Sequence, residues 1–206
     1  RSMISSIEPN LLTKDIIDFL AFSKNFLPHF HIPLQSGSNK ILKLMRRRYD
    51  NKKYFDCINY LKHTIPNVCI GADVIVGFPG ETEVEFIKSF DFIKKIDLSY
   101  LHVFSYSNRE NTKSIRMKNQ NSVNIIKNRS KVLRNYSQLI NFLFKQKQIN
   151  KNKNVLFESF KDGFVTGLSE DYIKVRVKAD KSLLNNVVAT KLIELKNDFV
   201  IGKVIN

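Results

Sequence analysis

The 206 residues carry 34 Lys and Arg against 19 Asp and Glu, a formal net charge of +15, and 43% of the side chains are hydrophobic. That apolar share builds one mid-sized domain, or a domain plus a small module, and excludes a disordered chain. Apolar runs are broken by charge or glycine too soon for a membrane-spanning helix, and nothing resembles a signal peptide. With only Cys57 and Cys69, no disulfide framework is available, so the expected setting is the cytoplasm, without a membrane.

The charge is uneven. Residues 1–112 hold 15 basic against 12 acidic side chains, residues 113–152 hold 10 against none, and residues 153–206 hold 9 against 7. A forty-residue stretch with no acid is the footprint expected of a phosphate-backbone contact, whereas lysine drift explains scattered lysines but not the total absence of acids. The first residue is Arg1, and Ser2-Met3-Ile4-Ser5-Ser6-Ile7 reads as the middle of a fold. An N-terminal part is therefore expected to be missing.

In chain order, Ile4 to Ile7 reads as a strand and Thr13 to Ser23 as a helix with Ile16, Ile17, Phe19 and Leu20 inward. Phe30 to Leu34 is the next strand, and Ser38 caps a helix carrying Ile41, Leu42 and Met45. After Arg46-Arg47-Arg48 come a helix from Tyr54 to His63 and a continuous apolar strand of the buried parallel type from Cys69 to Phe78. Pro79-Gly80 turns the chain into a helix opened by a Thr82/Glu85 capping box, with Phe86, Phe90 and Ile93 on one face. Leu101 to Tyr106 is a fourth strand. A long helix from Val123 to Gln148 then places Ile126, Val132, Leu133, Tyr136, Ile140 and Leu143 on one arc and Lys127, Lys131, Arg134 and Lys145 on the other. From Asn154 the period changes to two, and five short strands (155–157, 164–166, 172–177, 187–195, 199–204) suggest a small β-barrel. The expected division is residues 1–152, a βα unit, and residues 153–206, a β-barrel.

Four strand ends carry residues foreign to a core: Ser5-Ser6 with Glu8-Pro9, Gln35-Ser36-Gly37-Ser38, Gly77-Phe78-Pro79-Gly80-Glu81 and Ser105-Tyr106-Ser107. In a parallel βα array these ends share one rim, where ligands bind. Each also has a plain reading, as a cap, a tight turn or a solvated helix end. His29, His31, His63 and His102 show no metal-ligand spacing, and His31 and His102 lie on strands, so packed or hydrogen-bonded histidines and no metal site are expected.

The stretches Ser5-Ser6-Ile7-Glu8-Pro9, Pro28 to Ser38, Leu44 to Tyr49, Asp73 to Thr82 and Leu101 to Ser107 resemble, in order and spacing, the radical-SAM methylthiotransferases. Gly167 to Val175 resembles the TRAM domain that ends those enzymes. Ser-Ser-Ile-Glu-Pro and Pro-His-Phe-His-Ile-Pro look most like the branch acting on tRNA threonylcarbamoyladenosine; the isopentenyladenosine and ribosomal-protein branches look less close.

The resemblance implies a partial parallel βα barrel of radical-SAM type followed by a TRAM barrel. The implied activity adds a methylthio group to C2 of threonylcarbamoyladenosine beside the anticodon, with S-adenosylmethionine and 4Fe-4S clusters as cofactors, tRNA as partner, and sulfur-donor and reductant systems. A cluster would cleave S-adenosylmethionine to a deoxyadenosyl radical, the cofactor carrying the chemistry and the protein orienting it.

On this mapping Glu8, Gln35, Ser36, Gly37, Arg47, Gly77, Phe78, Pro79, Gly80 and Glu81 hold S-adenosylmethionine. Lys127, Lys131, Arg134, Lys145, Tyr172 and Lys174 grip RNA, and no catalytic residue is assigned. The chain departs from the family pattern in lacking any Cys-x-x-x-Cys-x-x-Cys, in Asp50 where threonine is usual, and in Asn111-Thr112-Lys113-Ser114 in place of Gly-Thr-x-Ala. The chain alone is expected to be an inactive fragment, or a remnant that only binds RNA.

Overall fold

The computed structural model describes residues 2–108, 110 and 112–205; Arg1 and Asn111 lie outside them. By contacts the chain divides into two compact units, residues 1–26 with 30–140, and residues 27–29 with 141–206.

The first unit is built on a parallel sheet of order β1-β2-β3-β4, comprising Ser2–Ile4, Phe26–His31, Cys69–Val76 and Tyr100–Ser105. The helices of this part of the chain are α1 (Lys14–Phe22), α2 (Asn39–Leu44), α3 (Asn51–Thr64), α4 (Glu83–Lys95) and α5 (Val123–Gln146), the last running past the boundary at residue 140. Alternation assigns the two faces of the sheet. Phe30, Ile32, Leu34, Ile70, Ala72, Val74 and Val76 are buried in one core with Tyr54, Ile58, Leu61 and Ile93 from the helices. The Tyr54 hydroxyl donates to the Ile32 carbonyl at 2.8 Å and that of Tyr49 to the Pro33 carbonyl at 3.0 Å, so both buried phenols are satisfied.

Helix starts follow local chemistry. The side chains of Thr13, Ser38, Asp50 and Thr82 each accept from a backbone N–H three residues on. Asp50 is thus an effective substitute for threonine, and it begins α3 at Asn51, three residues before the expected Tyr54. At α4 only half of the capping box forms. Glu85 does not turn back to Thr82; it accepts from the Ser38 hydroxyl and pairs with Lys88 at 3.1 Å. The Ser38 hydroxyl, then Lys88, hold its carboxyl below the ordinary range.

Other expectations shift by register. The first strand is Ser2–Ile4 rather than Ile4 to Ile7, although the Ile7 N–H still donates to the His31 carbonyl at 3.1 Å. On α1 the inward residues are Ile17 and Leu20, while Ile16 and Phe19, each 100° away from an inward neighbour, are exposed. On α5 the buried arc centres on Arg129, Ser130 and Leu133, which leaves Val132 and Leu143 exposed. The Ser137 hydroxyl satisfies both the N–H (2.8 Å) and the carbonyl (2.9 Å) of Leu101, tying α5 to strand β4.

The second unit contains a closed barrel of order β5-β6-β7-β9-β8, formed by Asn152–Lys161, Phe164–Ser169, Lys174–Lys178, Val200–Val204 and Val187–Leu195. Its core is Val155, Phe157, Val165, Ile173, Val175, Val177, Leu192 and Val200. Between β6 and β7 the fully buried Asp171 pairs with Lys153 at 2.8 Å and accepts from Ser169 at 2.6 Å, while Tyr172 takes φ = 66°.

Gly37 packs against α4 so closely that an added Cβ would lie 2.6 Å from the Ser89 carbonyl oxygen. Gly37→Ala is expected to lower stability by about 1–3 kcal/mol in urea unfolding, because the backbone of α4 must give way. Glu85 contributes stability above the ordinary carboxylate pKa, and loses it as pH falls through its lowered folded value. Glu85→Gln is therefore expected to shrink the stability difference between neutral and acid pH, read by thermal melts across that range.

Candidate functional site

The C-terminal ends of β2, β3 and β4 and the loop after β1 lie on one side of the parallel sheet, as parallel order requires. After β2 the backbone continues to Gln35, which bridges to Val74 with φ = 65°. A non-glycine residue held there at a strand end is strained, and its side chain is buried. Arg46, at the end of α2, has φ = 59°. Arg47 donates to the Glu8 carboxylate at 2.8 Å, with both side chains about one third exposed.

The turn after β3 is held by a buried ion pair. Gly77 has φ = 79° and Gly80 φ = 87°, conformations that favour glycine. The Gly77 N–H donates to Glu81 Oε2 at 2.7 Å. From α5 the Arg129 guanidinium donates to Glu81 Oε2 at 2.9 Å, to the Glu81 carbonyl at 2.7 Å and to Glu83 at 3.0 Å. Glu81 and Arg129 are 2% and 5% exposed. Burial pushes the Glu81 carboxyl up, against the Gly77 N–H and Arg129, which pull it down.

The ten residues expected around a ligand therefore separate into three groups, with Gln35, itself buried, beside the first. Ser36 is fully buried, and its hydroxyl accepts from the Ser38 N–H at 3.2 Å; Gly37 and Glu81 likewise face structural partners. Phe78 and Arg47, by contrast, line an open cavity of about 310 Å³ with Leu44, Met45, Arg46, Ile75, Lys113, Ser114 and Met117. Glu8 and Arg47 border a second cavity of about 220 Å³ with Arg46 and Arg48. Gly77, Pro79 and Gly80 form the turn that carries Phe78, whose ring meets Tyr106 edge-on at 5.4 Å.

Sequence reasoning missed Arg129, although a cation on the apolar arc of an amphipathic helix was the available signal. It also missed Lys113, which a short 3-10 helix (Lys113–Arg116) brings to the lining of the cavity. Of the residues expected to contact RNA, Lys127, Lys131 and Arg134 are exposed along one side of α5, Lys145 is half-buried in its last turn, and Tyr172 and Lys174 are exposed on the barrel.

A pocket of this volume, with apolar Ile75, Phe78 and Met45 and cations among its lining residues, fits a molecule that carries a flat ring at one end and a carboxylate at the other, as S-adenosylmethionine does. The cysteines do not fit a 4Fe-4S cluster. There are two in the whole sequence, Cys69 is buried at the start of β3, and burial pushes the Cys57 thiol up to about 11.

Comparison with known proteins gives a consistent picture. The radical SAM superfamily model matches residues 3–93. The threonylcarbamoyladenosine tRNA methylthiotransferase MtaB of Bacillus subtilis is 37% identical over 199 residues, covering 94% of this chain and 44% of that protein. The tRNA-2-methylthio-N(6)-dimethylallyladenosine synthase of Lachnoclostridium phytofermentans is 31% identical over 95% of this chain and 43% of that protein. The chain thus spans less than half the length of these curated relatives. Among solved structures, the radical SAM enzyme coproporphyrinogen III oxidase of Escherichia coli shares the fold, with a TM-score of 0.57 at 11% identity, over 98% of this chain and 51% of that one.

Removing the cation should strand a buried carboxylate. Arg129→Met is expected to cost about 3–5 kcal/mol in urea unfolding, and adding Glu81→Gln to it should recover most of the loss. Reconstitution of this chain with iron and sulfide is expected to give no 4Fe-4S absorption.

Proposed function

We propose, from its membership of the radical-SAM methylthiotransferase family, that the chain is part of an enzyme adding a methylthio group to C2 of threonylcarbamoyladenosine in tRNA. The observation that carries this reading is the joint one: the rim cavity at Arg47 and Phe78 in a chain 37% identical to a tRNA methylthiotransferase over nearly its whole length. The cluster ligands belong, in this reading, to sequence outside these 206 residues, and the chain alone is inactive.

Within it, Phe78, Arg47, Glu8, Gln35 and the Gly77–Gly80 turn bind and orient S-adenosylmethionine. The buried Ser36, Gly37 and Glu81 hold that rim in shape. The cofactors supply the radical and the methyl group. The barrel from residue 153 acts as a TRAM-type RNA-binding module, and Lys127, Lys131, Arg134, Lys145, Tyr172 and Lys174 meet the anticodon stem-loop, with phosphates neutralised by the cations and a base stacked on the face of the Tyr172 ring that His29 does not occupy. Sulfur-donor and reductant systems complete the cytoplasmic reaction. No helix among the described residues is long and apolar enough to cross a membrane.

The alternative substrate is isopentenyladenosine in tRNA, favoured by relatives of 31–38% identity that carry that activity in their names. Two binding measurements on the full chain test the reading. Calorimetry should register S-adenosylmethionine, weakened roughly tenfold or more by Arg47→Ala, which removes a charge-assisted hydrogen bond of about 1.5–3 kcal/mol. tRNA affinity should fall with salt, and the triple change Lys127→Gln, Lys131→Gln, Arg134→Gln should flatten the log–log slope by roughly 0.9 for each phosphate no longer neutralised. Salt-independent tRNA affinity, or affinity for S-adenosylmethionine untouched by Arg47→Ala, would count against it.

A further inference from the structure

His31, Asp73 and His102 sit on the adjacent strands β2, β3 and β4, or at their ends, and on the same face of the sheet. It is the face opposite the helix-packed core, because Asp73 and His102 pair in register and alternate with buried Ala72, Val74 and Leu101. The Nε2 atom of His31 lies 2.8 Å from Asp73 Oδ1, and Nδ1 of His102 lies 3.5 Å from the same oxygen. The three ligand atoms all fall within 4.8 Å of one another. Gly71 makes the site possible on one flank: any Cβ there would meet the Tyr100 ring at 2.1 Å, so the ring lies over bare backbone beside both imidazoles.

We infer that His31, Asp73 and His102 form a binding site for a divalent first-row metal ion of borderline character, such as Zn²⁺. In a tetrahedral site, metal–nitrogen and metal–oxygen bonds of roughly 2.0–2.2 Å place neighbouring ligand atoms about 3.3–3.6 Å apart. The 3.5 Å between His102 Nδ1 and Asp73 Oδ1 meets that spacing, and the 2.8 Å between His31 Nε2 and the same oxygen is a hydrogen-bond distance that must open when a metal takes the place of the proton. The adjustment falls on the Asp73 carboxylate, since the His31 side chain is 10% exposed and the His102 ring packs against those of Tyr100 and His31. Two imidazoles and one carboxylate suit zinc, cobalt, nickel or ferrous iron and disfavour magnesium and calcium. Three protein ligands leave positions for water or an anionic ligand on the open side.

The site adjoins the rim cavity without lining it: Asp73 lies two residues, roughly 7 Å along the strand and on the same face, from Ile75, which lines that cavity, and the Asp73 carbonyl accepts from the Gln35 N–H at 2.8 Å. It stands independently of the tRNA reading, since its ligands and its test involve neither RNA nor a cluster. Linear spacing hides it because each ligand comes from a different strand.

The test is Zn²⁺ titration of the untagged, chelator-stripped chain by calorimetry, with Co²⁺ absorption as a second probe of ligand number. A single ion per chain is expected. His102→Ala and Asp73→Asn should each weaken binding at least tenfold. His63→Ala, which removes an exposed imidazole on α3, should leave it unchanged. His102 is exposed, so its replacement keeps the fold, and circular dichroism checks the Asp73 variant. Absence of specific uptake, or binding that survives His102→Ala unweakened, overturns the site and leaves His31–Asp73–His102 a hydrogen-bonded cluster.

Discussion

The Arg129–Glu81 pair is the interaction on which the rim depends. A guanidinium buried beside a buried carboxylate is costly unless every hydrogen-bonding direction is used, and here most are used for positioning. Glu81 holds the Gly77 N–H, Arg129 holds the Glu81 carboxylate and carbonyl, and the glycine turn between them presents Phe78 to the cavity. Ser137 repeats the device on a smaller scale at Leu101, so α5 is fastened to the ends and the edge of the sheet by polar contacts as well as by Leu133.

The second organising constraint is the two-residue period of the strands. One set of side chains packs the helices into an apolar core; the other set is free of that duty. The second set carries His31, Asp73, His102, Gly71 and Tyr100, a composition no helix-packed face would tolerate. Chemistry in this fold is therefore confined to one face of the sheet and to the rim, and the remaining polar groups serve as caps and clamps.

Much of the fold was legible because the signals were local. Pro79-Gly80, the caps Ser38 and Thr82, and the change to period two near Asn154 each mark an element from its own residues. Faces were harder to read: Ile16 and Val132 are apolar yet exposed, since a 100° step separates them from the true buried arc. The partition of the site was not legible at all. Ser36 and Phe78 both sit in motifs expected to hold the ligand, and only packing decides that one is buried scaffold and the other lines a cavity. Helical spacing puts Arg129 on the apolar arc of α5 but does not name Glu81 as its partner, and the His31–Asp73–His102 cluster depends on strand pairing that linear spacing cannot display.

The central claim is that the protein carrying this chain methylthiolates tRNA, and nucleoside mass spectrometry of tRNA from a strain lacking its gene tests it most directly. The account predicts loss of the 2-methylthio group from threonylcarbamoyladenosine, restored when the gene is returned. Loss from isopentenyladenosine instead would move the chain to the sister branch, and a full complement of methylthio nucleosides in the deletion strain would contradict the claim.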